Sequence, residues 1–293
     1  MTNNKQPKKR SLNITFIYIG ILTLIPLGIF TRGFGLDTII LTFWLIAILL
    51  KRGKEFIKDW FIFIILFWVY ETLRGWADNI AKILHRPLII TQTIQADKFL
   101  FYWLTKGQNL NFWLQQQLPP QTTNHIFLIF LFFFYTMFFW FWAGTGFLLW
   151  LNNKKLFKEY MKKLLTLSFL SVTIYTLFPT APPWYASMKG FLPHLDRIMW
   201  SNVFPKSGIS YIHFWDQNYF AALPSLHFSW PLLASIFLIK YAKTLKENKL
   251  AKYLLYSTIM VPLIILFAIV YGAEHYVIDA IAGLFLIFIV LLF

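Results

Sequence analysis

The stretch Gly272–Gly283, which reads GAEHYVIDAIAG, lies between two long apolar runs near the C-terminus. Its His275 and Asp279 are four residues apart, so they share one face of the chain if the segment is helical. Ionisable side chains inside a membrane span are costly, and they commonly mark a functional site. Buried polar pairs also hold membrane helices together, so a structural contact between helices is the alternative interpretation.

The composition indicates a membrane protein. Of the 293 residues, 58% are hydrophobic and 13% are charged. Apolar runs of about 18 to 20 residues, the length that crosses a bilayer as a helix, recur along the chain. These runs are continuous rather than alternating, which argues against a β-barrel. We therefore predict an all-α, polytopic integral membrane protein, in which the Phe-rich run Phe130–Trp142 faces lipid.

The apolar runs predict eight transmembrane helices and divide the chain into two parts. Residues 1–59 are predicted to form an N-terminal hairpin, and residues 60–293 a membrane domain with a six-helix core. Residues 77–123 are mixed in composition and predict an extracytoplasmic segment with one or two helices at the membrane interface. Residues 180–221 are also too polar to cross the bilayer. The predicted spans are about 13–30, 36–50, 60–76, 124–150, 163–179, 222–240, 253–272 and 275–293.

The charge distribution predicts the orientation of these spans. The net charge is +15, but the basic residues form no long face that could follow a nucleic-acid backbone. Of the 27 Lys and Arg residues, 18 lie on one side of the predicted bundle, and the positive-inside rule makes that side cytoplasmic. Both termini are then cytoplasmic. The 18 residues are Lys5, Lys8, Lys9, Arg10, Lys51, Arg52, Lys54, Lys58, Lys154, Lys155, Lys158, Lys162, Lys163, Lys240, Lys243, Lys246, Lys249 and Lys252.

The same topology brings two histidines to one side of the membrane. His227 begins the sixth predicted span on the extracytoplasmic side, and the helical hairpin that follows returns the chain to that side at His275. Pro224 and Ser225 favour the first turn of a helix, so we expect the sixth span to start there and the eighth to start near His275. Two helix N-termini facing one place would favour an anion such as phosphate.

Four segments resemble motifs of the type-2 phosphatidic acid phosphatase (PAP2) superfamily and of its inositol phosphorylceramide synthase-like branch. Pro224–His227 (PSLH) resembles the second motif of the superfamily, and His275–Asp279 (HYVID) resembles the third. Phe178–Trp184 (FPTAPPW) looks like a segment typical of the branch, and Tyr70–Gly75 (YETLRG) is similar to its arginine-containing motif. The resemblance covers roughly residues 60–293, and the pattern is also similar to sphingomyelin synthases.

The resemblance implies a reaction and assigns roles to three residues. His275 would attack phosphorus and form a phosphohistidine, Asp279 would orient the His275 ring, and His227 would protonate the leaving alkoxide and then deprotonate the acceptor. The enzyme would be a lipid phosphotransferase that moves a phosphorylated headgroup, such as phosphoinositol, from a phospholipid donor to a lipid alcohol acceptor. Ceramide or diacylglycerol would serve as that acceptor, at the extracytoplasmic face. We expect no cofactor and no metal ion.

The chain departs from the phosphatase branch at the phosphate-binding positions. That branch has an arginine several residues before the third-motif histidine, whereas Ile269–Glu274 contains none. Arg74 is predicted to bind phosphate instead, because a guanidinium fits phosphate oxygens; an ion pair with Glu71 is the alternative. Ser225 is predicted either to contact phosphate or to act only as a helix cap.

Two other functions remain open at this point. A lipid phosphate phosphatase would use the same residues with water as the acceptor. A membrane transporter or scaffold would use the histidines to bind or relay protons. Transporters often contain inverted repeats and polar sites at the membrane midplane. Here no repeat is apparent, and the polar residues gather at one predicted surface.

Overall fold

The computed structural model describes residues 36–201, 218–245 and 248–293. Within these residues the regular elements are helices, and isolated bridges join Thr180 to Ile89 and to Ala221. The all-α prediction is confirmed. In chain order the helices are α1 (Leu36–Leu49), α2 (Gly53–Ile83), α3 (Thr91–Leu100), α4 (Tyr102–Thr105), α5 (Leu110–Gln117), α6 (His125–Asn152), α7 (Lys154–Leu177), α8 (Pro183–Met188), α9 (Ile198–Ser201), α10 (Leu226–Ala242), α11 (Lys249–Ser257), α12 (Met260–Tyr271) and α13 (Val277–Leu292).

Most predicted spans coincide with helices, but three of them differ in extent. Helix α2 continues to Ile83, beyond the predicted end of the third span. Helix α7 begins at Lys154, so the lysine-rich segment before the fifth span is itself helical, and the side chain of Asn153 caps its start. This is physically reasonable because lysine is a good helix former and asparagine a good N-cap. The seventh span consists of two consecutive helices, α11 and α12. The first predicted span lies outside the described residues.

Two helical stretches of the described residues are long and apolar enough to cross a membrane: His125–Asn152, and Lys249–Tyr271, which comprises α11 and α12. Three further apolar helices are shorter, at 10 to 17 residues: Thr38–Leu49, Leu226–Ala242 and Val277–Leu292. The number of eight spans therefore stays a prediction.

Helix α10 lies at the centre of the bundle and packs against α6, α7, α11, α12 and α13. Most of its side chains are buried, as expected for a helix that is hydrophobic on all sides. The ring of Trp230 lies 5.3 Å from those of Phe138 and Trp142 in α6, measured between centroids. The expectation that Phe130–Trp142 faces lipid is therefore wrong for much of this run. Rings such as those of Tyr135 and Trp142 are buried, because they fill the space beside α10.

Helices α10 and α13 approach each other closely at their N-termini. The amide of Ser225 donates a hydrogen bond to the carbonyl oxygen of Asp279 at 2.9 Å. A Cβ atom at Gly283 would lie 2.1 Å from Oγ of Ser229 and 3.1 Å from the carbonyl oxygen of Ser225. Because the first distance is far inside van der Waals contact, the missing side chain at Gly283 determines how closely the two helices pack.

Charged side chains join α2 and α7 at the end of the bundle that lies away from His227. Arg52 donates from Nε and Nη2 to the carboxylate of Glu55 at 2.7 and 2.9 Å. Lys154 pairs with Glu55 at 2.8 Å and also with Asp59. The lysine-rich start of α7 is thereby attached to α2 through two carboxylates.

Candidate active site

His227, His275 and Asp279 are brought together in one continuous line of contacts. Nδ1 of His227 lies 3.0 Å from Nε2 of His275. Nδ1 of His275 lies 3.2 Å from Oδ2 of Asp279. Asp279 is fully buried and His275 is 4% exposed, so water has little access to the second contact. Two histidines that are 48 residues apart in the chain thus share one hydrogen bond.

One arrangement of protons satisfies both contacts and also leaves His275 with a nucleophilic nitrogen. If Nδ1 of His275 carries a proton, it donates to the carboxylate of Asp279, and Nε2 of His275 is left with a lone pair. That lone pair accepts from Nδ1–H of His227. The carboxylate therefore orients His275 with its nucleophilic nitrogen facing the second histidine, which is the arrangement that covalent catalysis by histidine requires.

His275 lies in a turn between α12 and α13, and not on the helix that holds Asp279. Helix α13 begins at Val277, so the prediction that His275 and Asp279 share a helical face is wrong in its geometry. Asp279 instead reaches back over the helix start, where Oδ2 accepts from the amide of Tyr276 at 3.0 Å and from the His275 ring. Ala273, in the same turn, has a positive φ of 59°, which bends the chain sharply before His275.

The turn is held from outside by polar side chains of the segment that follows α2. Nδ2 of Asn111 donates to the carbonyl oxygens of Val270 and His275 at 2.7 and 2.9 Å. Nε2 of Gln115 donates to the carbonyl oxygen of Tyr271 at 2.9 Å. Asn111 is fully buried. These two amide side chains fix both ends of the turn, and nothing in their sequence pattern marks them for this function.

Asp97 is a second anchor for the start of α13. Its Oδ1 accepts from the amide of Val277 at 3.1 Å, while Oδ2 accepts from Nδ2 of Asn109 at 3.1 Å and from the amide of Leu110 at 3.3 Å. Burial raises the pKa of the Asp97 carboxyl to about 6, and the charge of Asp279 acts in the same direction. The amide hydrogen bonds oppose this shift only in part.

The N-terminus of α13 is consequently occupied by carboxylates of the chain itself. The amide of Tyr276 is bonded to Asp279 and the amide of Val277 to Asp97. These negative charges complement the partial positive charge of a helix start. The prediction that the N-terminus of α13 is open to a phosphate group is therefore wrong.

Aromatic rings of α6 surround the His227 side chain. Tyr135 stacks on the imidazole with 5.5 Å between centroids and 16° between the planes, and the ring of Phe138 lies 4.2 Å away. On the preceding turn, the hydroxyl of Tyr175 donates to the carbonyl oxygen of Pro224 at 2.7 Å. The position of His227 therefore depends on two neighbouring helices, α6 and α7.

Ser225 precedes α10 and is fully buried. Ser225 occupies the N-cap position of α10, but its hydroxyl makes no capping hydrogen bond. Among the described residues the hydroxyl has no hydrogen-bond partner, and the Ser225 amide is bonded to Asp279. A buried hydroxyl with unused hydrogen-bonding capacity lies two residues from His227.

Arg74 lies on α2 and pairs with Glu71, as one of the two interpretations predicts. The two side chains are 2.8 Å apart, and the Arg74 carbonyl oxygen accepts from Nδ2 of Asn218 at 2.8 Å. The charge of Arg74 also acts on the imidazole of His227. The guanidinium is bound to a carboxylate of its own helix.

Arg197 is a further cation near the histidines that sequence reasoning does not identify. Its Nε and Nη2 donate to the two carboxylate oxygens of Glu274 at 2.8 and 2.9 Å. Its guanidinium lies 4.3 Å from the ring centroid of Trp184. The amide of Trp184 donates to the carbonyl oxygen of Ala273 at 3.0 Å. The Phe178–Trp184 segment and Arg197 thus both attach to the turn that carries the catalytic candidate.

The chain matches the PAP2 superfamily over residues 107–293, a region that contains α5 to α13 and both histidines of the site. The chain belongs to the PAP2 superfamily. It is an enzyme of the phosphatase and phosphotransferase type found in this superfamily. The long apolar helices and this membership together indicate an integral membrane protein.

One curated relative of this PAP2 enzyme carries a more specific name. The chain is 28% identical to the phosphoinositol dihydroceramide synthase of Bacteroides thetaiotaomicron, over 48% of this chain and 51% of that protein. The chain therefore spans about half the length of the relative that it matches. No solved structure matches the chain. The likeness to the inositol phosphorylceramide synthase branch that the motifs predict is confirmed.

Proposed function

We propose that this PAP2 enzyme transfers a phosphorylated headgroup, such as phosphoinositol, from a phospholipid to a lipid alcohol such as ceramide or diacylglycerol. The observation that carries this proposal is the continuous contact from Asp279 through His275 to His227. A transfer in two steps needs a nucleophile, a group that orients it, and an acid that later acts as a base. The name of the Bacteroides relative supports an inositol-containing headgroup and a ceramide-like acceptor.

In the first step, Nε2 of His275 attacks phosphorus and a bond from nitrogen to phosphorus forms. The bond between phosphorus and the glycerol oxygen of the donor breaks, and its electron pair stays on that oxygen. Protonated His227 gives a proton to the same oxygen, so diacylglycerol leaves as a neutral alcohol. Asp279 stabilises the positive charge of the His275 ring through Nδ1–H.

In the second step, the acceptor enters and His227, now neutral, removes the proton of its hydroxyl group. The oxygen attacks phosphorus, the bond to Nε2 of His275 breaks, and its electron pair returns to the ring. His227 is protonated again and His275 is neutral, so both residues are ready for another cycle. Water in the place of the lipid alcohol would give hydrolysis by the same residues.

We further propose that Arg74 and the hydroxyl of Ser225 contact the phosphate group. The charge of Arg74 already acts on His227, and a guanidinium can donate two parallel hydrogen bonds to phosphate oxygens. Ser225 supports the proposal because its buried hydroxyl has no hydrogen-bond partner among the described residues. A polar group buried without a partner is unfavourable unless a ligand or water satisfies it.

The proposed topology has eight spans, with residues 1–59 as an N-terminal hairpin and residues 60–293 as the catalytic membrane domain. The lysine-rich segments and both termini are cytoplasmic, and the histidines lie at the extracytoplasmic face. Residues 77–123 belong to that face, which agrees with the contacts of Asn111 and Asp97 to the turn around His275.

The test uses the purified chain and vesicles that contain phosphatidylinositol labelled in its headgroup, with and without ceramide. We expect labelled phosphoinositol ceramide to form with the wild-type chain and none to form with His275→Ala. His125→Ala removes an exposed histidine at the start of α6 and serves as the matched control with full activity. Full activity of His275→Ala would overturn the mechanism. Release of free inositol phosphate as the single labelled product would show that water is the acceptor and that the enzyme is a hydrolase of the phosphatase type. Lipid transport across the vesicle membrane that survives loss of both His227 and His275 would favour a transporter.

A further inference from the structure

The segment Ile269–Glu274, directly before His275, contains no arginine. Two other arginines have charges that act on His227, namely Arg74 and Arg197. Arg197 comes from a different part of the chain, directly before α9. The segment before α9 can therefore contribute a second guanidinium to the site, although it lies outside the four motif-like segments of the sequence.

The contacts of Arg197 place its guanidinium beside the turn of His275. Its partner, Glu274, directly precedes His275 in the chain and is 7% exposed at its side chain. Both carboxylate oxygens accept from Arg197, at 2.8 and 2.9 Å. The Trp184 ring covers one face of the guanidinium at 4.3 Å. A planar cation with one covered face presents its N–H groups in a defined direction.

We propose that Arg197 binds the phosphate group of the substrate, and that Glu274 holds the guanidinium beside the histidine pair until phosphate displaces the carboxylate. The inference rests on the proposed phosphoryl-transfer function of this site. Carboxylate and phosphate both accept two parallel hydrogen bonds from a guanidinium, so one anion can replace the other without reorientation of the arginine. The phosphodiester of a phospholipid donor carries one negative charge, as the carboxylate does, so the charge of the guanidinium stays balanced through the exchange.

Arg74 differs from Arg197 in the nature of its ion pair. Arg74 and Glu71 are three residues apart on the same helix, and the Glu71 side chain is 38% exposed, against 7% for Glu274. An exposed pair within one helix contributes little, whereas a buried pair strongly opposes removal of either partner. Glu274 therefore holds the guanidinium of Arg197 in place more firmly than Glu71 holds that of Arg74.

A purely structural role for the Arg197–Glu274 pair makes a different prediction. If the pair only attaches the segment before α9 to the turn around His275, removal of either partner breaks the same attachment. Arg197→Ala and Glu274→Gln should then weaken phosphate binding in the same direction. If Glu274 competes with phosphate for the guanidinium, the two substitutions act in opposite directions.

The experiment measures binding of inorganic phosphate by the purified full-length chain in detergent, from the phosphate-dependent rise of its unfolding temperature. We expect Arg197→Ala to weaken binding by about 10- to 100-fold, the loss typical for a charged hydrogen-bonding partner. We expect Glu274→Gln to tighten binding, because the competing charge is gone. Arg197→Lys should give an intermediate loss of affinity, because an ammonium keeps the positive charge but cannot donate two parallel hydrogen bonds. If Arg197→Ala does not fold, Arg197→Lys takes its place in the comparison.

Arg52 and Glu55, at the start of α2, provide a matched control because two hydrogen bonds of similar length join them. This pair lies at the end of the bundle away from His227, so Arg52→Ala and Glu55→Gln should leave phosphate affinity unchanged. Equal weakening by Arg197→Ala and Glu274→Gln would overturn the proposal, as would unchanged binding in Arg197→Ala or no phosphate binding by the wild-type chain. The variant His275→Ala tests the proposed function separately. If turnover survives in His275→Ala, the histidine mechanism is rejected, whereas the conclusion about phosphate binding by Arg197 is unaffected.

Discussion

The amide of Ser225 donates a hydrogen bond to the carbonyl oxygen of Asp279 at 2.9 Å, and this bond joins the first turns of two helices. Ser225 directly precedes the helix of His227, and Asp279 contacts His275. The distance between the two histidine rings therefore depends on how closely α10 and α13 pack. Gly283 is the residue that permits this packing, because a Cβ atom there would lie 2.1 Å from Oγ of Ser229.

We expect Gly283→Ala to lower the free energy of unfolding by about 1–3 kcal/mol, the usual effect of an extra methyl group in a tightly packed contact. Activity should fall as well, because the helices separate at the histidine pair. Thermal unfolding in detergent measures the change in stability. The added methyl group meets Ser229, so the double variant Gly283→Ala/Ser229→Ala should recover part of the stability. A double variant that is less stable than the single one would contradict this explanation.

The second prediction concerns pH and Asp97. The pKa of this carboxyl is raised from its ordinary 3.8 to about 6, so the folded protein holds the proton more tightly than the unfolded chain. The stability that the protonated group contributes is present below pH 3.8 and is lost as the pH rises through about 6. Relative to Asp97→Asn, which does not titrate, the wild-type chain should lose about 2 kcal/mol of stability between about pH 4.5 and about pH 7.5.

Unfolding temperatures of both proteins at the two pH values give the result for Asp97. The comparison between wild type and variant removes the contribution of the other carboxylates, because both proteins contain them. A difference in stability that is the same at both pH values would show that the Asp97 carboxyl is not shifted in this direction.

The third prediction concerns His227. We expect His227→Ala to lower the rate of headgroup transfer by about 10²–10⁴-fold, the usual contribution of a general acid and base. His275 is still present in this variant, so a phosphohistidine can form slowly and decays slowly. Phosphorus NMR of the denatured protein should detect it. Wild-type turnover in His227→Ala would contradict the role of this residue, and Phe138→Leu controls for the loss of ring packing beside it.

The fourth prediction concerns orientation in the membrane. The sequence contains no cysteine, so a single introduced cysteine is labelled without background. Lys155 and Lys189 are both exposed, on the start of α7 and directly after α8. A membrane-impermeant maleimide added to intact cells should label Lys189→Cys and leave Lys155→Cys unlabelled until the membrane is opened. Labelling of Lys155→Cys in intact cells would contradict the proposed orientation, because it would place the start of α7 outside the cell.

His227, His275 and Asp279 can be found from the sequence because a helical hairpin in a membrane has few possible arrangements. Such a hairpin returns the chain to the side on which it starts, so two histidines that flank it lie at similar depth. The manner of contact is harder to predict. A spacing of four residues suggests a shared helical face, whereas the chain turns at Ala273 and begins a new helix only at Val277.

Arg197, Asn111 and Asp97 cannot be found in the same way. They lie in irregular or short helical segments, where hydrophobic periodicity carries no information about position. Their contacts to the turn of His275 depend on how these segments fold back over the bundle. The same limit applies to Tyr135, which lies in a run so rich in aromatic residues that the buried and lipid-facing sides of α6 cannot be distinguished by composition.

The direct hydrogen bond between the rings of His227 and His275 has a consequence for the order in which substrates bind. At 3.0 Å, the two nitrogens leave no space for a phosphorus atom to reach Nε2 of His275. A ligand must therefore separate the rings, and an anionic phosphate group can do so because it offers both rings a stronger partner. Ceramide and diacylglycerol carry no such charge. We therefore expect the donor phospholipid to bind first and the lipid alcohol to enter only after the headgroup is attached to His275, which gives ping-pong kinetics.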